Sequence, residues 1–343
     1  MIDRHSPTAH AAYHDLCRSL MDEAVSHIRG TPTRVVRNNK VYWYDSFRIG
    51  SDVRKIYIGE ETPELCERLD NLKTIRQGGE ARRKHRMRLI RILRAEGFQS
   101  VDATTGSMLR ALATAGVFRL GGTVVGTHAF RLYEGVLGLR YGFDDMAQTG
   151  DIDITIFEKL SLALQDVVDP PLNDVLGGFS FDPVPSVGGH KTWRWRQTRN
   201  DMMVEFLTPS FDKAEGIRHL AALGVDAQSL HHLNYLLAEP IKAVAVYRSG
   251  VLVQIPRPER FAIHKLIVAD RRRGGGNDLK AEKDRLQAAF LIKALAQDRP
   301  DELWEAYSDA RAMGPKWQHR LDTTLARLPG IWDILVGINL NRP

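Results

Sequence analysis

The sequence predicts an α/β protein with a mainly helical C-terminal part and a helix and β-hairpin extension in front. Three observations carry that reading. In the middle third, apolar or β-branched runs at 117–120, 152–157 and 202–207 alternate with helix-like segments at 107–115 and 123–139. The last third follows the helical apolar period for most of its length. The first hundred residues switch from a helical to an alternating period and back again. Of 343 residues, 43% are hydrophobic and 26% charged. Such a chain buries a full core, which excludes a disordered chain, a coiled coil or a collagen-like fibre. The organisation expected is a basic extension over 1–100, an α/β core over 101–210 and a mainly helical domain over 211–343.

Charge and cysteine usage narrow the class. Forty-eight Lys and Arg against 42 Asp and Glu leave a net charge of +6, a balance that leans toward polyanionic partners. The two cysteines, Cys17 and Cys66, are too few for a disulfide framework or a four-cysteine zinc site, which fits a reducing compartment. No apolar run approaches the ~18 residues of a membrane span, and MIDRHSPTAH lacks a charged-then-apolar signal pattern. A cytoplasmic protein with no membrane partner is the expectation.

The elements follow in order. Leu16, Leu20, Ala24, Val25 and Ile28 recur at helical spacing over 8–29, closed by Gly30 and Pro32. VYWYDSFRI (41–49) and VRKIYI (53–58) flank Gly50-Ser51-Asp52 and predict a β-hairpin. Residues 62–96 read as helix, with Gly78-Gly79 as the break. Within them, ARRKHRMRLIRILRAEG (81–97) is the densest positive segment. It is either a solvated helix face or a phosphate-tracking surface, with bases stacking on the neighbouring hairpin aromatics Tyr42, Trp43, Tyr44 and Tyr57. Pro- and Gly-rich stretches at 169–178 and 183–189 read as loops, and 241–247 with 251–255 as a second hairpin around Ser249-Gly250.

The chemistry concentrates in three pieces of the middle third. In RLGGTVVGTHAF (119–130), a short strand is expected to run into Gly121-Gly122-Thr123 and then a helix. Glycines there let the backbone approach a phosphate, and the helix start points unpaired N–H groups at it. In TGDIDITIF (149–157), strand alternation puts Asp151 and Asp153 on one side and Ile152 and Ile154 on the other. Two carboxylates about 7 Å apart on a strand suit a pair of Mg²⁺ ions; the alternative is an exposed strand face. Asp is a poor strand residue, however, and two on one face need a reason. In MMVEFLTP (202–209), Glu205 is a lone acid in an apolar run, costly to bury unless paired or coordinated. Beside the Asp151 strand it would complete a carboxylate triad, for which Asp201 is a poorer candidate.

With GG-T-x-x-GTHAF, the strand carrying TGDID and the strand with one acid ahead of Leu-Thr-Pro, the chain resembles the polymerase-β-type nucleotidyltransferase superfamily. More closely it is similar to a bacterial branch whose core reads GG-T-hydrophobic-x-GTHAF…DID, and more distantly to the nucleotidyltransferase toxins of toxin–antitoxin systems. The motifs span roughly 117–290. The resemblance implies a nucleotidyltransferase fold with a mixed sheet and Mg²⁺-dependent transfer of a nucleoside monophosphate from an NTP to an acceptor hydroxyl, with two metal ions. Gly121, Gly122 and Thr123 would hold the triphosphate. Asp151, Asp153 and Glu205 would bind Mg²⁺, and Glu205 would also polarise the attacking hydroxyl. One departure is the 28 residues between Gly122 and Asp151, against about a dozen in the superfamily, with the excess around 135–148.

The C-terminal helices add to this. In RPERFAIHKLIVADRR (257–272), Lys265 shares a face with Phe261, Ala262, Val268 and Ala269, where it either snorkels or meets a triphosphate. Over 278–297, Lys280, Lys283, Asp284 and Gln287 share a face that Ala288, Leu291, Ile292 and Leu295 continue. That face is either a salt-bridged exposed end or a polar entry to an active site. In the toxin-like relatives a Lys on one helix and a Lys-Asp pair on the next assist nucleotide binding and catalysis; Lys265, Lys283 and Asp284 match that order. GGHKT (188–192) departs from P-loop spacing, GGGN (274–277) reads as an inter-helix loop, and His231 with His232 makes a poor metal pair. His128 is a packed core histidine or a substrate contact. Arg194 and Arg196 share a strand face and contact an acidic substrate or solvent. For the acceptor, the basic face and the aromatic hairpin favour RNA, with a tRNA 3′ end as one form, over a small molecule or a protein side chain. The alternatives are a catalytically silent nucleic-acid-binding protein of the same fold and nucleotidylation of a partner protein.

Overall fold

A computed structural model describes residues 2–28, 30–37, 39–49, 52–142, 151–157, 166–186, 191–199, 202–273 and 278–340. Helix α1 (Pro7–Ser26) begins where the Ser6 hydroxyl accepts from the Ala9 amide at 3.1 Å and Pro7 fills the first turn. That start satisfies one orphan donor and places a residue without one where none is needed. Its stripe of Ala9, Tyr13, Leu16 and Leu20 packs on Leu89, Ile90 and Leu93 of helix α4 (Gly79–Ala95) in a small separate core.

Between these helices, β1 (Thr31–Arg37), β2 (Lys40–Ile49) and β3 (Asp52–Glu60) make an antiparallel meander. The hairpin is where it was expected; β1 is an addition. Pro32, read as a helix stop, lies in this edge strand, where a missing N–H is tolerated. Tyr44 and Tyr57 turn inward and are buried, so they offer no stacking platform for bases. The helical stretch over 62–96 is three helices, α2 (Pro63–Asp70), α3 (Leu72–Gln77) and α4, broken at Asn71 and Gly78.

Helix α5 (Ala103–Ala115) is capped by the Asp102 carboxylate, which accepts from the amides of Thr104 and Thr105 at 3.0 and 2.9 Å. The apolar run at 117–120 is a tight turn rather than the expected strand. Leu120 N–H donates to the Gly116 carbonyl, and Gly122 N–H to the Val117 carbonyl, each at 2.9 Å. Val117, Phe118 and Leu120 are buried there without pairing, and periodicity does not separate such a turn from a short buried strand. The strand comes after the glycines, as β4 (Thr123–Val125), and helix α6 (Gly126–Leu137) follows at once.

The central sheet runs β4, β5 (Ile152–Thr155), β8 (Met203–Pro209), β10 (Val225–Leu230), β9 (Ile217–Leu220), with β7 (Arg194–Gln197) also on β8 and β6 (Phe181–Pro183) on β7. Strands β5, β8 and β10 are parallel and the other pairs antiparallel, so the sheet is mixed. The stretch at 169–178 holds helix α7 (Leu172–Gly178) where its Pro and Gly content suggested only loop. The strands over 217–230 were also not expected. After the short helix α8 (Leu233–Leu236), the second expected hairpin forms as β11 (Ile241–Ala245) and β12 (Val251–Ile255). Helices α9 (Pro258–Arg271), α10 (Asp278–Asp298), α11 (Pro300–Ala312), α12 (Pro315–Leu325) and α13 (Pro329–Leu340) complete the chain, with α9 central among α10, α11 and α12. Among the described residues no helix is long and apolar enough to cross a membrane. Asp201, the GGGN stretch, most of GGHKT and residues 143–148 of the long insertion lie outside the described residues.

Candidate active site

The central sheet sets four residues in a row. Val125 of β4 lies opposite Asp153 of β5, Asp153 opposite Glu205 of β8, and Glu205 opposite Arg194 of β7. Directly opposed residues present neighbouring side chains on one face. Asp151 stands two residues before Asp153, on the same side. The intervening Ile152 and Ile154, like Val204 and Phe206 beside Glu205, are fully buried on the other face. The alternation that the sequence shows is thus an anchoring device: apolar residues lock both strands into the core while the acids line one partly open surface.

Burial and mutual repulsion act on these acids. Burial first, then the neighbouring Glu205 and Asp151 charges, push the Asp153 carboxyl up to about 7, against the opposing pull of Lys265 and Arg272. Glu205 is also raised, by burial and by Asp151, with Arg194 and Lys280 acting the other way. Carboxylates whose charge is disfavoured this way are receptors for cations. Their all-oxygen chemistry fits a hard divalent ion such as Mg²⁺, which takes a few carboxylates and completes its shell with water and substrate oxygens. Among the described residues, no three of the His, Cys, Asp and Glu side chains are gathered into a ready-made metal cage.

The helix start at these acids is that of α6. Gly126 has a left-handed φ of +66°, and a Cβ on it would overlap the Asp153 carboxylate; only glycine lets strand β4 turn into the helix so close to that acid. Among the described residues no side chain caps this helix, and the unpaired first amides of a helix are groups that can meet an anion. Thr127 follows, largely buried. Gly121, Gly122 and Thr123 lie at the other end of β4, where Thr123 is opposite Thr155 rather than Asp153, about 7 Å along the strand. A Cβ on Gly122 would come within 2.8 Å of the Val117 carbonyl oxygen. The buried Thr123 hydroxyl donates to the Gly121 carbonyl at 3.2 Å and accepts from the Gln254 amide at 3.0 Å. These three residues hold β4 in place; the glycine at the carboxylates is Gly126. The signal for it was present in the sequence, since apolar Val124-Val125 immediately precedes the Gly-Thr of GTHAF.

His128, in the first turn of α6, is buried, and neither ring nitrogen has a hydrogen-bond partner among the described residues. Burial, then the charges of Arg131 and Lys283, lower it to about 4, so the imidazole is neutral at physiological pH.

Helices α9 and α10 supply the positive side. Asp284 is fully buried, with one carboxylate oxygen 2.5 Å from the Lys265 ammonium and the other 2.6 Å from the Arg272 guanidinium. This ion triad joins the two helices and fixes where Lys265 and Arg272 stand, close enough to Asp153 to act on its ionisation. Both Asp284 oxygens are thereby engaged. Lys283 is half-buried, and burial together with the cations Lys265, Arg272 and Lys280 lowers it despite Asp284. The face expected on α10 is present: Asp284, Gln287, Ala288, Leu291, Ile292 and Leu295 are buried, with Lys280 exposed at its start. Arg194, which sequence reasoning left between a substrate contact and solvent, is the cation next to Glu205.

The site thus sets strand-borne carboxylates beside a helix start, with Lys265 and Lys283 on two further helices. The family model described as Nucleotidyltransferase matches residues 103–312, and the chain belongs to that family. Among solved structures, an antigenic nucleotidyltransferase-like protein from Paracoccidioides brasiliensis is similar at 14% identity. The match covers 65% of this chain and 95% of that one, with a TM-score of 0.28. None of the curated proteins matches this chain.

Proposed function

We propose that this protein transfers a nucleoside monophosphate from an NTP to an acceptor hydroxyl, releasing pyrophosphate, in a Mg²⁺-dependent reaction. The observation that carries this reading is a pair of opposed like-charge clusters. Asp153 and Glu205 are held where their negative charge is disfavoured, in part by the neighbouring Asp151. Lys283, among Lys265, Arg272 and Lys280, is held where its positive charge is disfavoured. A magnesium–triphosphate complex relieves both at once, because the metal satisfies the acids and the phosphates satisfy the cations.

In this reading Asp151, Asp153 and Glu205 hold the metal, which when bound neutralises charge on the transferring phosphoryl group and on the attacking oxygen. The α6 amides at Gly126 and Thr127 orient the phosphates, with Gly121, Gly122 and Thr123 supporting that turn from behind. Lys283 and Lys265 bind the triphosphate, and Asp284 positions Lys265. Glu205 takes the proton of the acceptor hydroxyl as its oxygen bonds to the α-phosphorus and the bond to pyrophosphate breaks. Most of the catalysis is positioning and charge neutralisation. The acceptor is an RNA hydroxyl, the class that the chain's positive excess favours.

The test is transfer of each α-labelled NTP with Mg²⁺ onto total tRNA and onto cell protein extract, comparing the wild type with Asp151→Ala plus Asp153→Ala. Label on RNA that the double variant abolishes supports the reading. Label confined to protein moves the acceptor from RNA to a polypeptide. No label in any lane, together with no NTP–Mg²⁺ binding, overturns the transferase and leaves a silent binding protein.

A further inference from the structure

Helix α4 accounts for the whole net charge of the molecule. Seven of the chain's 48 basic residues and one of its 42 acidic residues fall within it, so the remainder is electrically balanced. The inner face is used by the fold: Leu89, Ile90 and Leu93 pack on α1, and buried Arg86 pairs with Glu23 at 2.7 Å. On the outer face the bonds among the described residues are few, with Arg94 Nε donating to the Ser100 hydroxyl at 3.2 Å and Lys84 pairing with Glu80. Arg83, Lys84, Arg88, Arg91 and Arg94 are all exposed, on an arc of about 140° and over about 17 Å of helix.

That arrangement works against the helix itself. Lys84 and Arg88 are four residues apart, and Arg88, Arg91 and Arg94 follow at three, spacings at which like charges repel. The helix's one acid, Glu80, pairs with Lys84 at 3.2 Å between two exposed side chains. A concentration of like charge that the fold uses this little points to an external polyanion.

We propose that this outer face of α4 is the docking surface for the RNA acceptor, holding the strand by its phosphates. The assignment rests on the reading that the acceptor is RNA. A membrane surface is disfavoured because the arc exposes no aromatic or leucine to insert, only Met87 at 38% exposure. The arc itself carries no aromatic side chain, so its contacts are with backbone charge, which positions a strand without reading its sequence.

The experiment measures binding of fluorescently labelled total tRNA over a salt series, for the wild type and for Arg83→Ala/Arg88→Ala/Arg91→Ala. None of the three substituted side chains is in the core, and thermal melting checks that the variant folds. The expected result is a loss of tRNA affinity of about tenfold or more, with the log–log salt slope smaller by about 2–3, as three phosphate contacts require. NTP–Mg²⁺ binding should not change. Unaltered affinity and slope would overturn the proposal, as would loss of binding to phosphatidylserine vesicles with tRNA binding intact. A wild type that binds NTP–Mg²⁺ but no tRNA removes both the docking surface and the RNA acceptor while leaving the transfer chemistry standing. Loss of NTP–Mg²⁺ binding alone removes the chemistry and leaves this surface.

Discussion

Asp153 lies directly across from Glu205 on adjacent parallel strands, and the Glu205 charge is among the causes that keep the Asp153 carboxyl from ionising readily. The pairing follows from the fold, because the buried partners Ile152–Val204 and Ile154–Phe206 on either side fix the register. A one-residue slip would turn every apolar side chain of β5 outward. The core therefore pays for a juxtaposition of acids that does nothing for stability. Strain of this kind is expected where a ligand supplies the missing charge.

The cost should be measurable on Asp153 itself. Its folded-state pKa of about 7 lies above the ordinary value of 3.8, so between those values the unfolded chain releases this proton while the folded chain keeps it. Folding stability is therefore lost as pH rises from about 4 to 7, then levels off. Asp153→Asn removes the titration. In metal-free protein the variant should match the wild type near pH 4 and exceed it at pH 8 by on the order of 2–4 kcal/mol. Added Mg²⁺ should raise the melting temperature of the wild type and leave that of the variant unmoved. Parallel melting curves for the two proteins across this pH range would show that Asp153 is not the strained acid described.

How much of this was legible in the sequence depends on what kind of signal each residue leaves. Strand β5 was readable because apolar and acidic residues alternate, and β8 because one acid interrupts an apolar run; both signals survive without knowledge of the partner strand. Hairpin β11–β12 and helices α9 and α10 were readable for the same reason: local periodicity sets them. What failed was non-local. Val117, Phe118 and Leu120 are apolar because a turn buries them, which moved the expected strand ahead of Gly121 and hid Gly126 as the glycine at the acids. Arg194 carries no pattern that distinguishes it from Arg196; its place beside Glu205 comes only from the β7–β8 register. The Asp284 triad was half-visible, since helical spacing gave the shared faces but not the contact between helices that joins Lys265 and Arg272 to one carboxylate.

That triad separates positioning from binding. Removing the fully buried Asp284 leaves Lys265 with no counter-charge at its ammonium, and breaking a buried pair this way costs about 3–5 kcal/mol. Asp284→Ala should therefore melt well below the wild type. Lys283 is one residue away and opposite in effect: its charge is already disfavoured in the folded protein, so Lys283→Met should melt at the wild-type temperature or above it. The same variant should weaken NTP–Mg²⁺ binding, which titration calorimetry reads directly. If Lys283→Met destabilised the fold and left nucleotide affinity intact, Lys283 would be a structural residue.

The two glycine positions along β4 should part in the same way. At Gly122 an added methyl meets the Val117 carbonyl and side chain, which belong to a rigid, fully packed turn. Gly122→Ala should act through stability, at about 1–3 kcal/mol as overpacked sites do, and its activity should recover at low temperature where the protein is folded. At Gly126 the methyl meets the Asp153 carboxylate, which has room to move but only away from its place opposite Glu205. The left-handed backbone adds about 1–2 kcal/mol for any residue with a Cβ. A displacement of the order of 1 Å in a reacting site lowers the rate about a hundredfold. Gly126→Ala should therefore lose nucleotidyl transfer far beyond its fall in melting temperature, and should also lose the stabilisation by Mg²⁺ expected of the wild type. Measured at one temperature where both variants are fully folded, transfer should survive in Gly122→Ala and be lost in Gly126→Ala. The reverse ranking would return the phosphate-facing role to Gly122.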